Sequence, residues 1–215
     1  MKGLLIKDFR LIAQRKMFLI AMLFCAVALG LTDSGASFII YYFTIIGAMF
    51  TTSTISYDEY DNCFPFLFTL PATRKQYVTE KYLFGLVTVA IFDIFATIAA
   101  VIITLSKGLP VTSDLFISSI VVIPVSMVMN SFSLPVMLKL GLEKGRIGLY
   151  IILIPVVAAV TAVMKSASLN RKFSEFLSYA DAHQILTGVI LCTVSLAVIM
   201  ISYLITADIM KKKEL

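Results

Sequence analysis

Asp93 is the side chain of this sequence best placed to do chemistry: it is the one carboxylate in the apolar run from Tyr82 to Leu105. An ionised carboxylate in the middle of a membrane costs at least about 2.5 kcal/mol, so it turns toward a cavity, a partner or neutrality. No Lys or Arg sits at matching depth, which leaves the hydroxyl of Thr97 or the amide of Asn130 as its expected partner. So placed, Asp93 could line a pathway or a dimer interface, bond a neighbouring helix, or carry a proton. Thr51, Thr52, Ser53 and Thr54 form a hydroxyl cluster that could line a cavity, although such hydroxyls also bond their own helix carbonyls. His183 is the only histidine, and apart from Asp181 it has no Cys or carboxylate at metal-ligand spacing. No nucleophilic triad or metal centre can be assembled around it, so no catalytic residue and no metal are expected. A Gly-x-x-x-x-Gly-Lys-Ser/Thr phosphate loop is absent, so the chain does not hold ATP by that device.

The elements that position these residues follow from composition. Of 215 residues 60% are hydrophobic and only 14% charged, and the mean hydropathy is +0.97. That is too little charge for a soluble domain, and the apolar residues come in long runs. A hydrocarbon core of about 30 Å needs about 20 helical residues. Six segments meet or approach that length: Met17 to Leu31, Ala36 to Ser56, Tyr82 to Leu105, Leu115 to Leu138, Ile147 to Met164 and Ile185 to Thr206. The first resembles a signal peptide, but no small-residue cleavage site follows, so it is expected to stay as an anchor. The expected architecture is therefore all-α integral membrane, with six transmembrane helices in one domain covering residues 1–215. Pro124, Pro135 and Pro155 are expected to kink the fourth and fifth spans.

Six spans place both termini on one side. Of the 18 Lys and Arg residues, 14 fall on the terminal side and only Lys107, Lys165, Arg171 and Lys172 on the other. By the positive-inside rule both termini are cytoplasmic. The net charge of +5 is thus explained by topology, and no nucleic-acid partner is expected. Cys25 and Cys192 lie in apolar runs and Cys63 in a polar loop, which suggests no disulfide framework. Residues 1–16 read as an amphipathic interfacial helix, with Leu5, Phe9 and Ile12 on one stripe and Lys7, Arg10 and Gln14 on another.

The cytoplasmic loop 57–81 has a particular order. An acidic cluster (Asp58, Glu59, Asp61) precedes an apolar stretch (Phe64, Phe66, Leu67, Phe68, Leu70); Pro71 and a basic pair (Arg74, Lys75) follow. The apolar stretch is too short to cross a bilayer, so it lies in the interface or under a partner protein. Thr73 and Gln76 have the spacing of a capping box that would open the third span.

That order, with Leu70-Pro71-Ala72-Thr73-Arg74-Lys75-Gln76 and Lys81-Tyr82, resembles the ABC-2 type permeases, and the pattern extends over nearly the whole chain. Within that family the chain is similar to the small six-span permeases of peptide export and bacteriocin immunity, including those of phenol-soluble-modulin export. The resemblance implies a coupling helix within 57–81, with the acidic, apolar and basic residues just named contacting the ATPase. It further implies two copies of an ATPase subunit that carries ATP and Mg, and a second permease, identical or a sister. Residues 165–184 stand where the family has a short external segment. An exporter of an amphipathic or hydrophobic substrate such as a peptide, in the bacterial cytoplasmic membrane and in contact with its lipid, is the function implied. Thr51, Thr52, Thr54, Asp93 and Asn130 are the candidates for its pathway or interface. The rival readings are an ion-coupled secondary transporter using Asp93 and a non-transporting immunity or sensor subunit.

Overall fold

The computed structural model describes residues 2–31, 36–60, 64, 73–165, 171 and 184–213. The elements described are all α-helices: α1 (Lys2–Gln14), α2 (Lys16–Leu31), α3 (Ala36–Tyr60), α4 (Arg74–Ser106), α5 (Ser113–Lys165) and α6 (Gln184–Lys212). Apolar runs of this length adopt helix because hydrocarbon offers no partner for a backbone N–H or C=O, and a helix bonds each within its own segment. Among the described residues, four helices are long and apolar enough to cross a membrane: Ala36–Glu59, Arg74–Ser106, Ser113–Gly141 and Leu186–Lys212. The segments expected as first and fifth spans, Met17–Leu31 and Ile147–Met164, are helical too but are not among those four.

The expected fourth and fifth spans are joined in α5, and the join is sharp. Its backbone leaves helical geometry at Gly141 (φ 78°, ψ 179°), a region that side chains exclude. Beyond it the chain turns back so closely that a Cβ on Gly145 would stand 2.8 Å from the Met137 sulfur. Pro124, Pro135 and Pro155 all lie within helical backbone, and the break falls at the glycine, in the interval left between the expected fourth and fifth spans. At the start of α4 the capping box forms as its spacing predicts: Thr73 Oγ1 accepts from Gln76 N at 3.2 Å, and Gln76 Oε1 accepts from Thr73 N at 3.1 Å.

The bundle centre is α3, packed against α4 and α5, with α6 against α5 and α4. One apolar cluster joins Ile40, Ala96, Ala100, Leu115 and Val122; a second joins Ala48, Val89 and Met127. A third, at the end where α1 docks, joins Leu4, Ile55, Tyr77, Leu134, Met137 and Met210. Outward faces are equally apolar, with Phe95 67% and Met200 64% exposed. Such surfaces suit lipid and not water. An apolar groove of about 420 Å³ opens between α1, α2, α3 and α4, lined by Phe9, Ile12, Met22, Phe43, Phe92 and Phe95 among others.

The α1 helix corrects its expected stripe. Leu4 and Asp8, one turn apart, are the residues turned fully inward, while Leu5 and Ile12 are half-buried and Phe9 sits at the margin. A charged residue occupies the packed face because its countercharge waits there, on α4. The Phe9 ring meets Phe84 edge-on at 5.2 Å. At the joint between α1 and α2 the Arg15 guanidinium lies 4.6 Å over the ring of Tyr57, which ties the joint to the end of α3.

Two substitutions test this framework by thermal unfolding in detergent. Gly141→Ala should destabilise by about 1–3 kcal/mol through backbone strain, aggravated by Glu59 Oε1 standing 2.8 Å from the added Cβ. Thr73→Ala should cost about 1 kcal/mol through loss of the cap. An unchanged midpoint for Gly141→Ala would mean that α5 does not turn there.

Candidate functional site

Lys81 is completely buried, seven residues into α4, and an ammonium there is tolerable only if anions come to it. Two carboxylates do, joined by one hydroxyl. The carboxylate of Asp8 on α1 is hydrogen-bonded to it, Asp58 Oδ2 on α3 stands 3.1 Å away, and Thr54 Oγ1 accepts from it at 3.2 Å. The Tyr77 ring lies 5.2 Å from the ammonium, and its hydroxyl donates to Asp58 Oδ2 at 3.0 Å. From the rim Lys7 donates to Asp58 Oδ1 and stands 3.2 Å from Asp8 Oδ1. Burial by itself would push the Lys7 ammonium down, but the carboxylates of Asp58 and Asp8 more than offset it and hold its pKa above the ordinary 10.5. Lys7 is therefore charged at every physiological pH, and its contribution to stability is lost only as pH rises beyond that value.

This ionic junction fastens α1 to the neighbouring ends of α3 and α4. Glu80 is buried beside it, with Oε2 3.9 Å from Lys81 Nζ. Of the junction, sequence reasoning singled out Asp58 and Thr54 as site residues; it read Lys7 as part of a polar stripe and Lys81 as part of the family-like motif, and passed over Asp8 and Glu80. A signal was present. Asp8 is the only acid before residue 33, and it follows the apolar Leu4 by one helical turn, on the face that packs.

The other loop candidates separate into distinct roles. Arg74 donates to the carbonyls of Lys211 (2.8 Å) and Met210 (3.2 Å), placing a cation on the C-terminal turn of α6, where the helix dipole favours one. Glu59 stands 3.6 Å from Lys213, whose ammonium also donates to the Leu138 carbonyl at 3.1 Å and lies 4.8 Å over the Phe64 ring. Phe64 is buried against Tyr77, ring centres 5.7 Å apart. Lys75 is exposed. Asp61, Phe66, Leu67, Phe68, Leu70 and Pro71 lie outside the described residues, as do Cys63, Asp181 and His183.

Asp93 is buried and bonded, but not to the partners expected. Thr44 Oγ1 donates to its Oδ1 at 3.1 Å and Ser119 Oγ to its Oδ2 at 2.5 Å, joining α3, α4 and α5. Thr97 and Asn130 are not its partners; hydroxyls from two neighbouring helices hold both its oxygens. Asn130 turns instead toward Gly85, where the absent side chain admits both its amide and the Thr51 hydroxyl; each would stand 3.1 Å from a Cβ there. Thr51 and Asn130, both buried, are thus brought together on α4. Thr54 Oγ1 bonds the Thr51 carbonyl at 2.9 Å, and Ser56 Oγ the Thr52 carbonyl at 3.0 Å, the local bonding such hydroxyls favour.

The junction makes a quantitative prediction. Lys81→Met should cost about 3–5 kcal/mol, because it strands Asp8 and Asp58 in a dry site. The Lys81→Met, Asp8→Asn double variant should lose less than the sum of the single changes. Chemical unfolding in detergent measures the cycle, and tryptic cleavage at Arg10 should accelerate in Lys81→Met as α1 comes free. Additive single effects would show that the two residues do not act together.

No characterised protein and no solved structure matches the chain at a significant level. A family model described as "ABC-2 family transporter protein" matches residues 3–211, nearly the whole length and every helix described above. The chain belongs to the ABC-2 family of transporter proteins, as a multi-pass membrane component.

Proposed function

We propose that this chain is the permease subunit of an ATP-driven exporter, crossing the bacterial cytoplasmic membrane six times with both termini cytoplasmic. Membership of the family implies association with an ABC ATPase. The assembly proposed has two ATPase subunits, which bind ATP and Mg, and two permeases, identical or sister chains.

One observation carries the coupling mechanism: the ionic junction lies where both ends of the loop 57–81 enter the bundle. Asp58 stands at the entry and Lys81 at the exit, and both grip Asp8 or Lys7 of α1. A displacement of the loop by an ATPase beneath it therefore reaches α1, α3 and α4 as one unit. Salt bridges in a dry site transmit displacement well, since parting them costs several kcal/mol. ATP binding would close the ATPase pair, move this unit and rearrange the spans around a central cavity; hydrolysis would reset it. The apolar groove and apolar helix faces favour an amphipathic or hydrophobic cargo such as a peptide.

Gentle detergent pull-down of the tagged chain from its host tests the reading, with recovery of a phosphate-loop ATPase as the expected result. Arg74 and Glu59 bond within the bundle, so reversing them would confound docking with folding. Lys75→Glu and Phe66→Asp are the cleaner probes, and each should lower ATPase recovery at least several-fold without moving the thermal midpoint. Undiminished recovery in both would remove the loop from the ATPase interface.

A further inference from the structure

The ionic junction has an odd charge count. From α1 come Lys7 and Asp8, from α3 Asp58, and from α4 Glu80, Lys81 and the neutral phenol of Tyr77. Three carboxyls thus face two ammoniums, and ionising all of them would leave one uncompensated negative charge. Asp8, Glu80 and Lys81 are each at most 1% exposed and Asp58 is 4% exposed, so water cannot dissipate that charge.

The hydrogen bonding points to where the surplus sits. Both Glu80 oxygens are buried without a hydrogen-bond partner, the nearer standing 3.9 Å from Lys81 Nζ, whereas Asp8 Oδ1 has Lys7 at 3.2 Å and its Oδ2 accepts from Lys81. A single proton on Glu80 cancels the surplus charge, and the neutral carboxyl is the form that burial without a hydrogen bond favours. Asp58 does not compete for it, since its oxygens already accept from Lys7 and Tyr77.

We propose that the Glu80 carboxyl is a proton-binding site, holding one proton at neutral pH while α1 is docked on the bundle. Undocking α1 would expose Glu80 to water and release the proton, so docking is linked to proton uptake. The site is separate from Asp93 and does not rest on the transport reading.

The full chain in detergent, at neutral pH, provides the test. The infrared spectrum of the Asp93→Asn protein, which lacks the deeply buried carboxyl that lies outside the junction among the described residues, should contain the carbonyl stretch of a protonated carboxylic acid. Adding Glu80→Gln should remove it. Absence of the band in Asp93→Asn, or its persistence after Glu80→Gln, overturns the proposal.

Stability against pH supplies a second reading. A proton held by the folded chain and released on unfolding makes stability fall as pH rises above the ordinary Glu value of about 4.3. The wild-type unfolding constant should therefore rise with pH more steeply than that of Glu80→Gln, by up to about tenfold per pH unit. Parallel profiles overturn the site. If Glu80→Gln fails to fold, the band in Asp93→Asn alone decides.

Discussion

A charge taken out of water must meet its countercharge inside the protein, and Lys81 imposes that condition on one whole end of this bundle. Its ammonium cannot stay buried without Asp8 and Asp58, so α1 must lie against α4 and the end of α3 must meet both. Hydrophobic burial alone would not have specified this docking. In a membrane, apolar faces are as content against lipid as against one another, and a stripe such as Leu5, Phe9 and Ile12 could settle in any orientation. An ion pair has one satisfying geometry. It holds Asp8 inward and leaves Phe9 at the margin against Phe84.

Sparse polar contacts recur through the rest of the bundle. Asp93 gathers Thr44 and Ser119 from two neighbouring helices. The Tyr82 hydroxyl on α4 meets Ser202 at 2.6 Å and Thr206 at 3.0 Å on α6, and Ser202 bonds onward to the Ser131 carbonyl of α5. Each links helices whose contact surfaces are otherwise apolar. Such bonds fix rotation and register where packing by itself is permissive, at roughly 0.6 kcal/mol each. Many small polar contacts thus align the helices, while one ionic junction decides where α1 belongs.

Several basic residues at the α1 end are structural. Arg74 closes the last turn of α6, Lys213 joins Glu59 to the Leu138 carbonyl, Arg15 stacks on Tyr57 and Lys7 completes the junction. A count of charges is blind to these contacts, since they reach partners 42 to 154 residues away in the chain.

Features that depend on neighbours in the chain were legible from the amino acids alone. The apolar runs dictated helices, the Thr73–Gln76 spacing dictated the start of α4, and the order of residues in the loop 57–81 pointed to the family that the match over residues 3–211 shows. What only the tertiary structure decided is which distant side chains meet. Asp8 with Lys81, Asp93 with Ser119 and Arg74 with the end of α6 all depend on how helices are rotated and stacked. Local sequence sets the backbone hydrogen bonds of one helix. The partner of a buried charge is set by the global arrangement that leaves the least charge uncompensated.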